Sequence, residues 1–295
     1  MKNEFAVPVL YLAFNRLESV KKTFLEIQKI RPQELFISCD GPRTKEEKNK
    51  TDAVREYILN NINWKCKIKT LFRNKNLGCK LAVSGAIDWF FGNVEEGIIL
   101  EDDCLPNQSF FRFCQEMLEK YRDEDKIMSV SGYNYLDGLD INESYYFSRY
   151  FECWGWATWK KAWKKCDIEM KDYKSDKKSG NLSRIMPWIA ERIIYKKRFE
   201  DNLSGKLDSW AYCFLYSHLR EDRLSIVPKY SLVKNMGICG DSTHTSESAV
   251  DKKYFNTKVV TARFPLWHPT VISSNRNFDK KYIRKEIKRI LLKLI

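Results

Sequence analysis

Gly97-Ile98-Ile99-Leu100-Glu101-Asp102-Asp103 is a short apolar run that ends in three consecutive carboxylates. Coming after a helical pattern, an apolar run of this length reads as a buried strand of a parallel sheet. Three acids at its C-terminal end repel one another unless a cation or hydrogen-bond donors neutralise them. In an open α/β sheet that end faces the crevice where ligands bind. The chemistry this spacing invites is a divalent metal carrying phosphates; a solvated acidic loop is the bland alternative.

Three other strand-like segments end in a matching way. One is followed by Asn15-Arg16, one by Asp40-Gly41-Pro42 and one by Arg73-Asn74. In a parallel sheet these ends share one edge, which then carries two arginines, a lone aspartate and the acidic triplet. Such a mixture suits a nucleotide: carboxylate for a base N–H or ribose hydroxyl, guanidinium for phosphate, metal between carboxylates and diphosphate. Taken singly, each residue reads as a loop cap or a surface charge; their convergence carries the weight. No G-x-x-x-x-G-K-[ST] occurs, and Asn76-Leu77-Gly78-Cys79-Lys80 holds one glycine, so both glycine-rich phosphate cradles are absent. A diphosphate here depends on metal and basic side chains.

The positioning elements follow from periodicity. Residues 7–14 read as a strand, followed by a helix with Leu17, Val20, Phe24 and Ile27 at steps of three and four. Strands over 34–39 and 67–72 flank a charged helix over 45–59. A helix over 79–91 carries Leu81, Ile87 and Phe90. The strand 97–100, a helix over about 109–121 and a strand over 127–131 complete the alternation. Repeated βα units of this length imply right-handed crossovers and a mostly parallel sheet.

The chain has 295 residues, 43% of them hydrophobic, enough for one large core. Nine cysteines without a C-x-x-C pair exclude a disulfide framework and a zinc ribbon, and point to a reducing, cytoplasmic setting. No run is long enough to span a bilayer. Segment 5–14 is short and holds Pro8, so it reads as a strand, not a signal peptide. The net charge of +13 favours an anionic partner. Residues 279–295 hold seven Lys or Arg against two acids, +5 of that total, with Ile283, Ile287, Ile290, Leu291 and Leu294 along one helical face. That basic amphipathic helix fits an anionic membrane surface, which would make the protein peripheral, or the chain's own domain or a dimer partner.

On these residues the chain resembles a nucleotide-sugar glycosyltransferase of the GT-A fold. The similar residues are Asn15-Arg16 after the first strand, the Ser38-Cys39-Asp40-Gly41 turn, segment 73–78, and Glu101-Asp102-Asp103 in the place of the D-x-D motif. It is similar to bacterial transferases of surface-polysaccharide biosynthesis and, more distantly, to the N-acetylglucosaminyltransferase I class, which also carries an E-D-D triplet. Residues 5–135 carry the resemblance, and 150–245 share it more loosely. It implies an α/β Rossmann-like sheet flanked by helices, with 1–135 the nucleotide-sugar-binding half, 136–275 the acceptor-binding and catalytic half of the same domain, and 276–295 the C-terminal amphipathic helix. It implies that Asp40 contacts the base, that Asp103 is the principal metal ligand, and that Glu101 and Asp102 reach ribose or donor sugar. Asn15, Arg16, Arg73 and Lys80 would lie near the nucleotide. Mn²⁺ or Mg²⁺ would bridge the diphosphate and stabilise the leaving nucleotide.

The second half then supplies acceptor and base. Trp154-Gly155-Trp156-Ala157-Thr158-Trp159, with Trp163 a turn later and Trp210 further on, offers indole faces as a sugar platform, or core wedges under the sheet. Asp208, just before an apolar helix, is placed as the base that deprotonates the acceptor hydroxyl in an inverting transfer, with Asp201 and Glu200 in reserve; its alternative role is helix N-cap. His244, in the glycine-flanked loop that starts at Gly237, is a further metal ligand or a surface residue. His218 reads as structural.

The expected partners are a nucleotide-sugar donor, UDP-linked by first expectation, and a glycan or lipid-linked acceptor. A sugar nucleotidyltransferase would share sheet and carboxylates but shows a glycine-rich basic loop after its first strand, missing after Phe14. A nucleic-acid-binding protein fits the charge, but no helix-turn-helix, zinc finger or RNA-recognition signature occurs, so nucleic acid is not an expected partner.

Overall fold

Strand β1 (Val9–Ala13) is buried along its whole length and pairs in parallel with neighbours on both sides, as a near-continuous apolar run should. A computed structural model of the chain describes residues 5–136, 139–237 and 249–293. After β1 come α1 (Leu17–Ile30), β2 (Glu34–Cys39), α2 (Lys45–Asn60), β3 (Lys67–Phe72), α3 (Gly78–Phe91) and β4 (Glu96–Glu101). A short β5 (Cys104–Pro106), α4 (Gln108–Lys120) and β6 (Ile127–Ser131) follow. The later chain adds β7 (Tyr145–Ser148), β8 (Trp156–Trp159), the short helices α5 (Lys160–Trp163), α6 (Tyr173–Lys178) and α7 (Leu182–Ile185), then α8 (Ile189–Leu203) and α9 (Trp210–Arg220). Strands β9 (Leu224–Pro228) and β10 (Val233–Asn235) and helices α10 (Ala249–Phe255) and α11 (Arg276–Leu292) end it.

Eight strands form one sheet in the order β3-β2-β1-β4-β8-β6-β9-β7. The first four are parallel, the arrangement the alternating pattern predicts. Strand β3, at one rim, carries Lys67 and Lys69 where an unpaired edge needs charge. The surprise is β8, inserted antiparallel between β4 and β6, with Ile98 opposite Ala157 and Val130 opposite the same alanine. Of the two readings its Trp-Ala-Thr-Trp sequence offers, platform or core wedges, the structure shows the second: a central strand buried on both faces. Helix α1 packs on α2 and α4, while α3, α9, α8 and α11 form a second connected series. The stripe Val20, Thr23, Phe24 and Ile27 turns α1 inward, and Ala82, Ala86, Ile87 and Phe90 do so for α3; Leu81, expected on that stripe, is 57% exposed.

Helix α11 begins at Arg276, three residues before the basic stretch 279–295, and the side chain of its N-cap, Asn275, accepts from Phe278 N. It is seated on the chain's own body, against β7, α8 and α10. Tyr282 stacks on Tyr150 (4.5 Å, 13°), Ile283 is buried, and Arg289 pairs with Glu286 at 2.7 Å and Asp251 at 2.8 Å. Of the surfaces that its apolar face could meet, the chain's own domain takes part of it, with Leu291 left exposed. No helix among the described residues is long and apolar enough to cross a membrane.

Candidate active site

The parallel strands deliver their C-terminal ends to one edge, and the triplet lies there. Beyond β4, Asp102 is 2% exposed and faces inward: one oxygen accepts from Phe14 N at 3.1 Å, the other from Arg16 Nη2 at 2.5 Å. Asp103 is turned toward open space, with Oδ2 accepting from Arg16 Nη1 at 3.2 Å. Glu101 lines the same space. Burial, then the neighbouring carboxylates, raise the proton affinity of Glu101; burial raises that of Asp102 against the pull of Arg16. Burial works against the charge on Arg16, but Asp102, Asp103 and Glu101 outweigh it and carry its pKa up. One guanidinium therefore holds two of the three acids.

The β2 end supplies Asp40, whose carboxylate accepts from Gly41 N at 2.9 Å and Leu77 N at 3.0 Å, tying the turn to the start of α3. Gly41 is required there, because a Cβ would stand 2.4 Å from the Lys75 backbone. Arg73 reaches Ser38 Oγ at 3.3 Å, and its charge is disfavoured by burial.

Asp208 comes from the opposite side of the edge. It does not cap its own helix: the N-cap position of α9 is Ser209, with no side-chain bond. Its two oxygens accept instead from Cys79 N at 2.6 Å and Lys80 N at 3.1 Å, capping α3 from 129 positions away. Gly78, at φ +78, lets the chain pass, since a Cβ would lie 2.7 Å from Asp208 Oδ2.

Two adjoining cavities open on this edge. The first, about 280 Å³, is lined by Arg16, Asp40, Arg43, Arg73, Glu101 and Asp208. The second, about 320 Å³, runs from Arg16, Glu101 and Asp103 to Glu152, Trp154 and Tyr282. Arg16, Cys79 and Glu101 line both. A larger groove of about 610 Å³ lies between β7 and residues 269–277; with Glu143 and Arg276 as its charged groups and none of the strand-end acids, it offers less chemistry.

Several expected residues stand elsewhere. Asn15 donates to Glu47 Oε1 at 2.8 Å, part of a cluster in which Arg43 holds Glu47 down at about 2. Lys80 presents its backbone to Asp208, while its ammonium lies by Cys213 and partly offsets the upward shift of that thiol. Trp156 is fully buried and stacked on Trp210 (5.4 Å, 20°), and Trp159 is a core residue donating to Leu118 O at 3.2 Å. They are wedges under the sheet, because β8 has covered neighbours on both sides. Trp154 and Trp210 do reach the second cavity. Asp201 pairs with Lys197 and Glu200 with Lys177, both outside the cavities. His218 is buried beside Ser225, its pKa driven down to about 3 by burial, in keeping with a structural role. His244 lies outside the described residues.

Periodicity gave no sign of Glu152, a lone acid before Cys153-Trp154. Burial pushes it up to about 8, with a hydrogen bond from Tyr282 pulling the other way. Tyr282, on α11, forms part of the far wall of the second cavity.

No group of three His, Cys, Asp or Glu side chains among the described residues converges as a metal cage. A hard divalent ion that shares its shell with substrate phosphates needs only one or two protein carboxylates. Asp103, 16% exposed and facing the second cavity beside Arg16 and Glu101, fits that mode and does not fit a protein-only site.

No protein-family model matches the sequence, and no curated protein matches it. Among solved structures, it is similar to a mannosyltransferase from Pyrobaculum calidifontis described in complex with GDP-Man and Mn²⁺ (13% identity, 53% of this chain, 45% of that chain, TM-score 0.37). It is also similar to S. aureus TarS residues 1–349 (11% identity, 79% of this chain, 61% of that chain, TM-score 0.44). A third is a UDP-glucose pyrophosphorylase complexed with UDP-glucose (13% identity, 52% of this chain, 69% of that chain, TM-score 0.31). The chain thus spans under two thirds of the mannosyltransferase and TarS chains. At such identities the likeness is one of α/β architecture: a mostly parallel, helix-flanked sheet.

Proposed function

We propose that this chain is a metal-assisted glycosyltransferase that moves a sugar from a nucleoside-diphosphate donor to a hydroxyl of a glycan or lipid-linked acceptor. The observation that carries the reading is the convergence of Arg16, Asp40, Arg73, Glu101, Asp103 and Asp208 on two adjoining cavities at the C-terminal edge of a parallel sheet. The nucleotide occupies the first cavity, its base side toward Asp40 and its phosphates toward Arg16 and Arg73. Asp103 would hold Mn²⁺ or Mg²⁺, which when bound offsets charge on the departing diphosphate.

The acceptor ring occupies the second cavity against Trp154 and Trp210, with Glu152 and Tyr282 to fix its hydroxyls. Asp208 stands at the rim between the two, its chain neighbours Leu207 and Ser209 lining the acceptor side. Each of its oxygens keeps a lone pair beyond the one given to α3, so it can take the hydroxyl proton. A single base at the junction of the two cavities is the part an inverting transfer needs. We extend the reading to surface-polysaccharide synthesis on the resemblance of the strand-end residues alone.

A thermal-shift screen of UDP-, GDP-, CMP- and dTDP-sugars, with and without Mn²⁺, tests the reading. One donor at about a hundred times its Kd adds roughly 2.7 kcal/mol of stability. A selective shift that needs Mn²⁺ and vanishes in Asp103→Ala supports the proposal. No shift from any donor, or formation of a nucleotide sugar from a nucleoside triphosphate and a sugar phosphate, overturns it.

A further inference from the structure

We propose that Arg16 is a resident counter-cation of the acidic triplet: it holds Asp103 in the metal-free enzyme and opposes a divalent ion at the same carboxylate, so Arg16 sets the metal affinity of the site. The inference rests on the reading of Asp103 as metal ligand.

Arg16 makes the only ion pairs of Asp102 and Asp103 among the described residues. Its two terminal nitrogens are divided between them, one to each carboxylate. The planar fork fixes this bridge with a separate nitrogen for each carboxylate. Asp102 is fixed, because its second oxygen is tied to Phe14 N and the group is buried. Asp103 is the movable partner: it is part-exposed, with the longer of the two contacts, 3.2 Å against 2.5 Å. Its Oδ2 is taken by Arg16, and its Oδ1 lies 3.5 Å from Cys104 Sγ. A divalent ion on this carboxylate therefore meets the guanidinium's positive charge at close range and favours its withdrawal.

The backbone of Arg16 stays in place, since its carbonyl accepts from Val20 N at 3.0 Å in the first turn of α1. The long side chain can turn about that anchor. It lines both cavities, so a guanidinium released from Asp103 stays bound to Asp102 and swings its free nitrogens toward the space assigned to the diphosphate. Metal and anion thus favour the same rotation and should strengthen each other's binding, by equal factors in both directions.

The test compares wild type with Arg16→Gln, Arg16→Lys and Asp103→Asn. It titrates Mn²⁺ by isothermal calorimetry and by loss of the free-ion EPR signal, without and with the nucleoside diphosphate of the donor that the thermal-shift screen picks out, together with melting of the metal-free proteins. Removing the competitor should tighten Mn²⁺ binding about tenfold or more in Arg16→Gln, the size expected for one close opposite charge. The same variant leaves Asp102 buried without a cation, so its metal-free Tm should fall by about 5–10 °C and recover in part with Mn²⁺. Arg16→Lys, which keeps charge without the fork, should give intermediate values and stands in if Arg16→Gln does not fold. Asp103→Asn should abolish binding in either background. An Mn²⁺ Kd in Arg16→Gln or Arg16→Lys equal to or weaker than wild type overturns the inference while leaving Asp103 as a ligand. No saturable Mn²⁺ binding by any variant, with or without the nucleoside diphosphate, overturns both, and donor binding in the nucleotide-sugar screen then decides the transferase reading separately.

Discussion

Asp208 is assigned two jobs, and two substitutions separate them. Its carboxylate accepts from Cys79 N and Lys80 N at the start of a 14-residue helix, so Asp208→Ala removes a cap and a favourable charge at the helix N-terminus. Loss of a cap costs about 1 kcal/mol. Loss of the charge–dipole interaction at this exposed position adds about 0.5 kcal/mol. The total, about 1.5 kcal/mol, should lower Tm by about 3 °C in a chain of this size. Asp208→Asn keeps one oxygen acceptor for the two N–H groups and loses the charge, so its Tm should fall by about 2 °C, between wild type and Asp208→Ala. An amide cannot take a proton, however, and transfer by Asp208→Asn should drop by about 10²–10⁴-fold. Scanning fluorimetry reads the first effect, and turnover of the donor picked out by the thermal-shift screen reads the second. An unchanged Tm in Asp208→Ala refutes the cap across the cleft. Wild-type turnover in Asp208→Asn refutes the base.

Three further outcomes are expected. Glu152, pushed up to about 8 by burial, favours folding below its unfolded pKa of about 4.5, and that contribution is lost as pH rises through about 8. Glu152→Gln should therefore be more stable than wild type at pH 8, with the gap closing by pH 4.5 in urea titrations; a constant gap would show that the acid is not held neutral. Arg289 links buried Glu286 and Asp251, so Arg289→Met should cost about 3 kcal/mol by chemical denaturation and loosen α11, and a loss below 1 kcal/mol would mean that the cluster relaxes. Gly41→Ala drives a Cβ to 2.4 Å from the Lys75 backbone and should displace the Asp40 turn, weakening donor binding more than it lowers Tm; equal donor affinity would remove that turn from the nucleotide site.

Much of the sheet was legible because its strands are short apolar runs separated by polar helices. Strands β2, β3 and β6 occupy the residues their periodicity indicates, 34–39, 67–72 and 127–131. Strand β8 was not legible: four residues with two tryptophans match neither a helix stripe nor an alternating strand, and only pairing with β4 and β6 reveals them as core. The same limit governs the site. Convergence of strand ends placed Arg16, Asp40, Arg73 and the triplet at one edge, since parallel topology alone dictates that. Side-chain direction was a different matter. Asn15 and Arg16 are adjacent, yet one turns to Glu47 and the other to Asp102 and Asp103. The role of Asp208 as a cap depends on packing between α3 and α9, a tertiary fact with no local signature.

The antiparallel strand wedged into the middle of the sheet also bears on how the protein is made. During translation, β4 is complete some 55 residues before β8 emerges, and β6 has no seat in the sheet until β8 has joined β4. A nascent chain in that interval offers Ile98 and Ile99 on an unpaired apolar rim, the kind of surface that recruits chaperones or sticks to its own copies. Truncations that stop before Trp156 would keep that rim open permanently and should collect in inclusion bodies.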